Sequence, residues 1–130
     1  MASLLKLAHP QLAIKRISCQ FIITELLKHQ QKIILLSKRT AESVTEDLYY
    51  YLKNIHLYDE TFIEEMNWSE AERLTMGVDR FDMNYVALTP QTNGLLWTGD
   101  KKLTSHLKTM GFDRVLNTKE LYDRLELGEF

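Results

Sequence analysis

The sequence is poor in residues that cross-link or interrupt a chain, with one cysteine, two prolines and five glycines in 130 residues. A single cysteine, Cys19, excludes an internal disulfide and fits a reducing cytosol. No run approaches the ~20 apolar residues that span a bilayer, and no charged segment precedes the apolar residues at the start, so neither a membrane helix nor a signal peptide is expected. We therefore expect a cytoplasmic protein with no membrane partner.

The chain also lacks an excess of charge of either sign, with a formal net charge of −2. Nucleic-acid binding, if present, must therefore come from a local basic patch and not from the whole surface. A length of 130 residues with 45% hydrophobic residues is enough for one core. We expect a single domain over residues 1–130.

Short apolar segments alternate with helical patterns along the chain. Strands are predicted within residues 13–19, 55–59, 95–98 and 112–117. Ile22, Leu26, Ile33 and Leu36 recur at the spacing of one helical face. Strands that alternate with helices of 10–15 residues indicate βαβ units and a parallel sheet, in which ligands bind at the carboxyl ends of the strands.

Several sequence signals mark where helices should begin and end. Ser43 to Glu46 and Ser69 to Glu72 have the spacing of capping boxes. Asp79 and Asp100 are predicted to be N-caps, because each stands immediately before a helical pattern. Gly77 suits the left-handed residue that ends a helix.

Four acids stand out by position: Glu25, Asp79, Asp82 and Asp100. Each has an ordinary interpretation, since acids in a first helical turn cap the helix or complement its dipole, and Glu25 could be surface charge. They also have a functional interpretation, because carboxylates that converge at the carboxyl ends of strands repel one another and need a cation. Mg²⁺ or Mn²⁺ is the natural candidate, and such an ion supports phosphodiester hydrolysis.

Four stretches carry a resemblance to a known family. They are Phe21–His29 (FIITELLKH), Val78–Leu88 (VDRFDMNYVAL), Leu96–Leu103 (LWTGDKKL) and Met110–Leu121 (MGFDRVLNTKEL). Together they resemble PIN domains, and the likeness runs from about residue 13 to the end. The resemblance implies an α/β protein, a three-layer α/β/α PIN-like fold with a short parallel sheet.

The resemblance also implies a function and a site. Many PIN domains are Mg²⁺- or Mn²⁺-dependent ribonucleases, and many prokaryotic ones are toxins paired with an antitoxin. The metal ligands and catalytic acids implied here are Glu25, Asp82 and Asp100. Thr98 matches the hydroxyl near the last acid, Asp79 matches a supporting or capping position behind Asp82, and Gly99 would let the backbone turn Asp100 inward.

RNA is the partner that the resemblance implies, and three basic residues lie near the expected site in sequence: Arg80, Lys101 and Lys102. They could hold an RNA backbone electrostatically. The ordinary alternative is that the lysines belong to the solvated face of a helix.

One family feature has no counterpart in these residues. PIN domains open with a central strand that ends in an aspartate, whereas residues 1–24 contain no acid. We expect this first strand to be missing, its exposed edge to be covered in a dimer or larger homo-oligomer, and RNA cleavage to be weak or absent.

Two competing functions follow. A truncated PIN module acting in binding or oligomerisation is the main alternative to a ribonuclease. A phospho-acceptor domain with Asp100 as nucleophile is the poorer alternative. Such a domain needs a pair of acids after its first strand, and this sequence has no such pair there.

Overall fold

The computed structural model describes residues 14–78 and 82–128. Strands and helices alternate along them in this order: β1 (Ile17–Cys19), α1 (Phe21–Ser37), α2 (Ala41–Lys53), β2 (His56–Tyr58), a 3₁₀ turn (Glu60–Phe62), α3 (Glu65–Thr75), α4 (Met83–Gln91), β3 (Leu96–Trp97), α5 (Lys101–Thr109), β4 (Val115–Leu116) and α6 (Thr118–Leu127).

The strands pair in parallel, β1 with β2 and β3 with β4. This pairing confirms the predicted α/β class and the four predicted strand positions. The described residues group into two compact units that divide between Glu60 and Thr61. The single domain over residues 1–130 stays a prediction, and the question of a first strand ahead of β1 falls on residues 1–13, outside the described ones.

In the first unit, α1 and α2 connect the two parallel strands. Ser18 stands opposite Leu57 in the register, and the buried apolar side chains include Cys19, Ile22 and Val44. Cys19, the last residue of β1, is 0% exposed.

The second half of α1 departs from the predicted apolar face. Ile22 is fully buried, but Leu36 is 73% exposed. The predicted face is present, since one helix carries both residues, but it is not buried along its whole length. The helix is 17 residues long and its partner strands only three, so the strands cannot cover its full length.

The second unit is built around a βαβ segment, β3–α5–β4. Leu96 stands opposite Val115, and Trp97 stands opposite Leu116. Helices α3 and α4 pack against each other. The buried apolar residues of the unit are Ile63, which precedes α3, and residues on every helix and both strands: Ala71, Leu74, Tyr85, Val86, Ala87, Leu88, Leu96, Leu103, Leu107, Val115, Leu116 and Leu121.

Two predicted capping boxes are wrong. Helix α2 begins at Ala41, and its N-cap is Thr40, whose hydroxyl accepts a hydrogen bond from the Ser43 amide at 3.1 Å. The box predicted at Ser43 is therefore displaced by three residues, because the extended backbone of Thr40 brings its hydroxyl to the third helical amide.

The second box fails because Ser69 lies inside α3, which begins at Glu65. Gln91 serves the start of that helix, since its side-chain oxygen accepts hydrogen bonds from the Glu64 amide at 3.0 Å and from Asn67 at 2.7 Å. Gly77 does have the left-handed conformation expected after α3, with φ +87°. Within residues 14–78 and 82–128, no helix is long and apolar enough to cross a membrane.

Candidate functional site

The carboxyl ends of β3 and β4 meet at one edge, because the two strands are parallel. Thr98, Gly99 and Asp100 follow β3 there, and Asn117 follows β4. The Thr98 amide extends the pairing by donating to the Leu116 carbonyl at 3.1 Å. This edge is the place where parallel α/β architectures hold their ligands.

Asp100 is exposed at this edge and caps α5. Its Oδ1 accepts a hydrogen bond from the Leu103 amide at 3.1 Å, which confirms the predicted N-cap. Because a carboxylate has about four lone-pair sites, this one bond leaves capacity for a cation. The ordinary role as a cap and the proposed role as a ligand are therefore compatible in one side chain.

Thr98 is buried beside Asp100, at 2% exposure. Its hydroxyl accepts a hydrogen bond from the Asp100 amide at 3.1 Å. The threonine thus sets the direction in which the backbone delivers Asp100, and it does so through a local turn that forms between residues two apart.

Gly99 does not have the role that the sequence suggested for it. Its φ angle does not lie in the left-handed region that favours glycine. A Cβ atom added to it would have no other atom within 4 Å. The turn therefore requires no glycine, and Asp100 points to solvent instead of inward.

Asp82 differs from Asp100 in its surroundings. It precedes α4 in a helical conformation, makes no side-chain capping hydrogen bond and is 7% exposed. It interacts with other groups of the protein. A carboxylate at this depth requires compensation that a capping role does not supply, because burying a charge is costly. Its ordinary interpretation as a simple N-cap is therefore not supported.

Glu25 lies in the first unit, in the second turn of α1, and is half-buried. Sequence reasoning missed the group that holds the start of this helix. The carboxylate of Glu60, just after β2, accepts a hydrogen bond from the Phe21 amide at 2.8 Å. The sequence did hold a signal for Glu60, because it follows a predicted strand. Asp100 was selected as a site residue for the same reason.

The basic residues are only partly described. Lys101 and Lys102 are exposed in the first turn of α5, at the same edge as Asp100. Asp79 and Arg80 lie outside the described residues, so their expected roles stay predictions.

Over residues 14–78 and 82–128, no group of three or more His, Cys, Asp or Glu side chains is placed to hold a metal ion. The individual donors are nevertheless of the right type, because Mg²⁺ binds oxygen, keeps several waters and commonly takes only one or two carboxylates from a protein. Asp100 and Asp82 thus fit a hydrated Mg²⁺ or Mn²⁺ ion chemically.

These features define a class of protein, an α/β domain with acids at the carboxyl edge of short parallel strands. A family model described as PIN domain matches residues 2–120. The chain therefore belongs to the PIN domain family. Members of this family are generally nucleases that bind RNA, and they typically depend on divalent metals. No curated protein and no solved structure gave a significant match.

Proposed function

We propose that the chain is a divalent-metal-dependent endoribonuclease of the PIN family. The observation that carries this proposal is the placement of Asp100 at the carboxyl edge of the β3–β4 pair, oriented by Thr98 and followed by Lys101 and Lys102. An acid that would bind a cation and two lysines that attract phosphate then occupy three consecutive positions of the chain. This combination suits a substrate with a phosphodiester backbone.

The proposed ligands of Mg²⁺ or Mn²⁺ are the three acids that the family resemblance implies: Glu25, Asp82 and Asp100. When bound, the ion supplies a water of lowered pKa and neutralises charge on the phosphate oxygens. Thr98 orients Asp100, while Lys101 and Lys102 hold the RNA backbone. Asp79 would support Asp82, and Arg80 would add to the basic patch.

We expect RNA cleavage by this chain to be weak. The family's principal acid ends its first strand, and residues 1–24 contain no acid that could take its place. Misplacing a reacting group by about 1 Å can cost roughly a hundredfold in rate. Fewer ligands would lower both metal affinity and the accuracy with which water is placed.

The test separates the capping role of Asp100 from its role as a ligand. Asparagine caps helices as well as aspartate does, so Asp100→Asn should keep the free energy of unfolding nearly unchanged while it removes the carboxylate. We expect Mn²⁺ to raise the melting temperature of the wild type and not of this variant, since only a ligand of the folded state stabilises it. Mn²⁺-dependent cleavage of RNA, measured with and without EDTA, should fall in parallel.

Asp113→Asn is the matched control. Asp113 is exposed just before β4, and this substitution removes one negative charge, as Asp100→Asn does. It should leave the Mn²⁺ response intact. An Asp100→Asn protein that still responds to Mn²⁺ like the wild type would refute the assignment of this acid.

As a ribonuclease, the chain would act in the cytoplasm, where the family resemblance implies a toxin paired with an antitoxin. The second candidate function is a non-catalytic PIN module that acts in binding or homo-oligomerisation. Exposed apolar side chains on the first unit favour it, among them Leu27, Leu35, Leu36, Tyr49 and Tyr50. Exposed apolar side chains mark a protein interface where they form a patch. Light scattering at low concentration tests the homo-oligomer directly, because a stable monomer argues against it.

A further inference from the structure

Helix α5 carries charge of one sign only. Its nine residues include three lysines and a histidine, and no acid follows its N-cap, Asp100. The other described helices that contain basic residues, α1, α2, α3 and α6, each contain acids as well. The helix is therefore a local concentration of positive charge in a chain whose formal net charge is −2.

The three lysines of α5 are exposed and have no acidic partner. Within the part of the chain that the structure describes, Lys101, Lys102 and Lys108 make no salt bridge. By contrast, Lys119 on α6 pairs with Asp123 at 3.1 Å. Two of the α5 lysines stand in the first turn, where the helix dipole disfavours cations, so the stability of the helix does not explain their presence. These ammonium groups are available to an anion.

Two of these lysines share one face of α5 with a serine. Lys101, Ser105 and Lys108 follow one another at intervals of four and three residues, which places them on the same side of a helix. All three are exposed, whereas Leu107, on the opposite side, is fully buried. Because a helix rises 1.5 Å per residue, Lys108 lies about 10 Å along the axis from Lys101. These three residues, called the α5 strip below, begin next to Asp100.

The hydroxyl of Ser105 differs from the two threonine hydroxyls of the same helix. Thr104 donates a hydrogen bond to the Asp100 carbonyl at 2.9 Å, and Thr109 donates one to the Ser105 carbonyl at 2.9 Å. The Ser105 hydroxyl makes no hydrogen bond with any residue that the structure describes. It is therefore a donor that can serve a phosphate oxygen between the two lysines of the strip.

We propose that the α5 strip binds the phosphate backbone of an RNA strand that reaches the Asp100 edge along α5. Lys101 and Lys108 bind different phosphates, because a stacked strand carries one phosphate about every 3.4 Å of its axis. Ser105 donates a hydrogen bond to a phosphate between them. Contacts of this kind position a strand without reading its sequence. This inference rests on the proposed function and extends it, since it adds Ser105 and Lys108 as RNA-binding residues.

The test is the salt dependence of RNA binding, measured by fluorescence anisotropy of a labelled oligouridylate with the full chain. EDTA is present, so that metal-dependent cleavage does not consume the probe. Lys108→Gln should raise the dissociation constant about threefold and make the slope of log affinity against log salt shallower by about 0.7, the contribution of one phosphate contact on a single strand. The double variant Lys101→Gln/Lys108→Gln should make it shallower by about 1.4. A labelled oligoadenylate should show the same losses, because phosphate contacts carry no sequence information.

Lys119→Gln is the matched control. It removes one positive charge from an exposed lysine of the same unit, but Asp123 already neutralises that lysine. The control should keep the slope of the wild type, and thermal unfolding followed by circular dichroism establishes that each variant is folded. A slope that changes as much in Lys119→Gln as in Lys108→Gln would show that RNA responds to net charge alone, which overturns the strip. An unchanged slope in the double variant overturns it as well.

Ser105→Ala tests the uncharged member of the strip. Loss of one hydrogen bond should raise the dissociation constant about twofold to tenfold, because such a bond contributes about 0.5–1.5 kcal/mol. The salt slope should stay as in the wild type, since no charge is removed. An unchanged dissociation constant would overturn the role of Ser105.

Failure of the proposed function has a different signature. In that case Mn²⁺-dependent cleavage is absent or survives Asp100→Asn, while RNA binding in EDTA still depends on Lys101 and Lys108. Failure of the strip alone gives Mn²⁺-dependent cleavage that Asp100→Asn abolishes, together with RNA binding that ignores Lys108→Gln. A wild-type chain that binds neither RNA probe at low salt overturns the strip outright.

Discussion

The two units of this protein differ in how they satisfy the free amides at the start of a helix. Each joins two short parallel strands through helices, and each must satisfy the amides at the helix starts that follow the first strand. In the second unit, Asp100 caps α5 through an amide three residues away. In the first unit, α1 depends on Glu60, which is 39 residues from Phe21. The helix that follows the first strand is therefore capped locally in the second unit and from a distance in the first.

Burial differs between the units in the same direction. Helix α4 of the second unit buries five consecutive residues, Tyr85 to Thr89. Helix α1 of the first unit buries Ile22 and Leu26 but exposes Leu35 and Leu36. The comparison predicts that buried residues contribute more to the stability of the second unit. The first unit exposes apolar side chains that could contact a partner.

The largest effect is expected from truncating a core residue of the second unit. Leu107 is 0% exposed, so Leu107→Ala should lower the free energy of unfolding by about 2–5 kcal/mol. The matched change in the first unit is Leu35→Ala, at a residue 77% exposed, and it should stay within about 0.5 kcal/mol. Urea denaturation followed by circular dichroism measures both. Equal costs would break the comparison and indicate that Leu35 is covered in an assembly.

An intermediate effect is expected at the locally formed helix caps. Asn117 caps α6 in a reciprocal box with Glu120, and Thr40 caps α2 through the Ser43 amide. Asn117→Ala and Thr40→Ala should each cost about 1 kcal/mol in urea denaturation. Ser69→Ala is the control, because this serine lies inside α3, and it should cost less than either. A Ser69 effect as large as that of Thr40 would restore the capping box that the structure excludes.

The smallest effect is expected from an exposed ion pair on α3. A hydrogen bond from Arg73 lowers the pKa of Glu70 below its ordinary 4.5. A carboxyl whose folded pKa is depressed adds stability above its unfolded pKa and loses it as pH falls through the folded value. Arg73→Ala should therefore return the pKa of Glu70 toward 4.5, as measured by NMR titration. An unchanged titration would show that the pair does not persist in solution, and added salt should weaken the shift.

Several helix ends of the second unit could be predicted from the sequence because their signals are local. Asp100, Asn117 and Gly77 act on residues a few positions away, and the predicted cap at Asp100 and stop at Gly77 are confirmed. The assignment of Thr98 to the site came from the family resemblance and stays a proposal. Local hydrogen bonds depend on spacing along the chain, and spacing is visible in a sequence.

The errors have a common cause in contacts between distant residues. The side chain of Gln91 accepts a hydrogen bond at the start of α3, at Glu64. Ser69 lies inside that helix, so it cannot form the predicted capping box. Leu36 matched a helical period, but the period does not reveal how far the neighbouring strands extend. Gly99 suggested a special turn, yet its conformation is one that other residues adopt.

By itself, the sequence determined the α/β class, the strand positions, the PIN family and the acids at the strand ends, because these depend on residue type and order. The tertiary structure alone decided that Asp100 caps its helix by a hydrogen bond and that Asp82 is buried and makes no capping hydrogen bond. It also decided that Glu60 serves the start of α1. Such contacts depend on how strands pair across tens of residues, and pairing is fixed by the free energy of the whole fold and not by any local pattern.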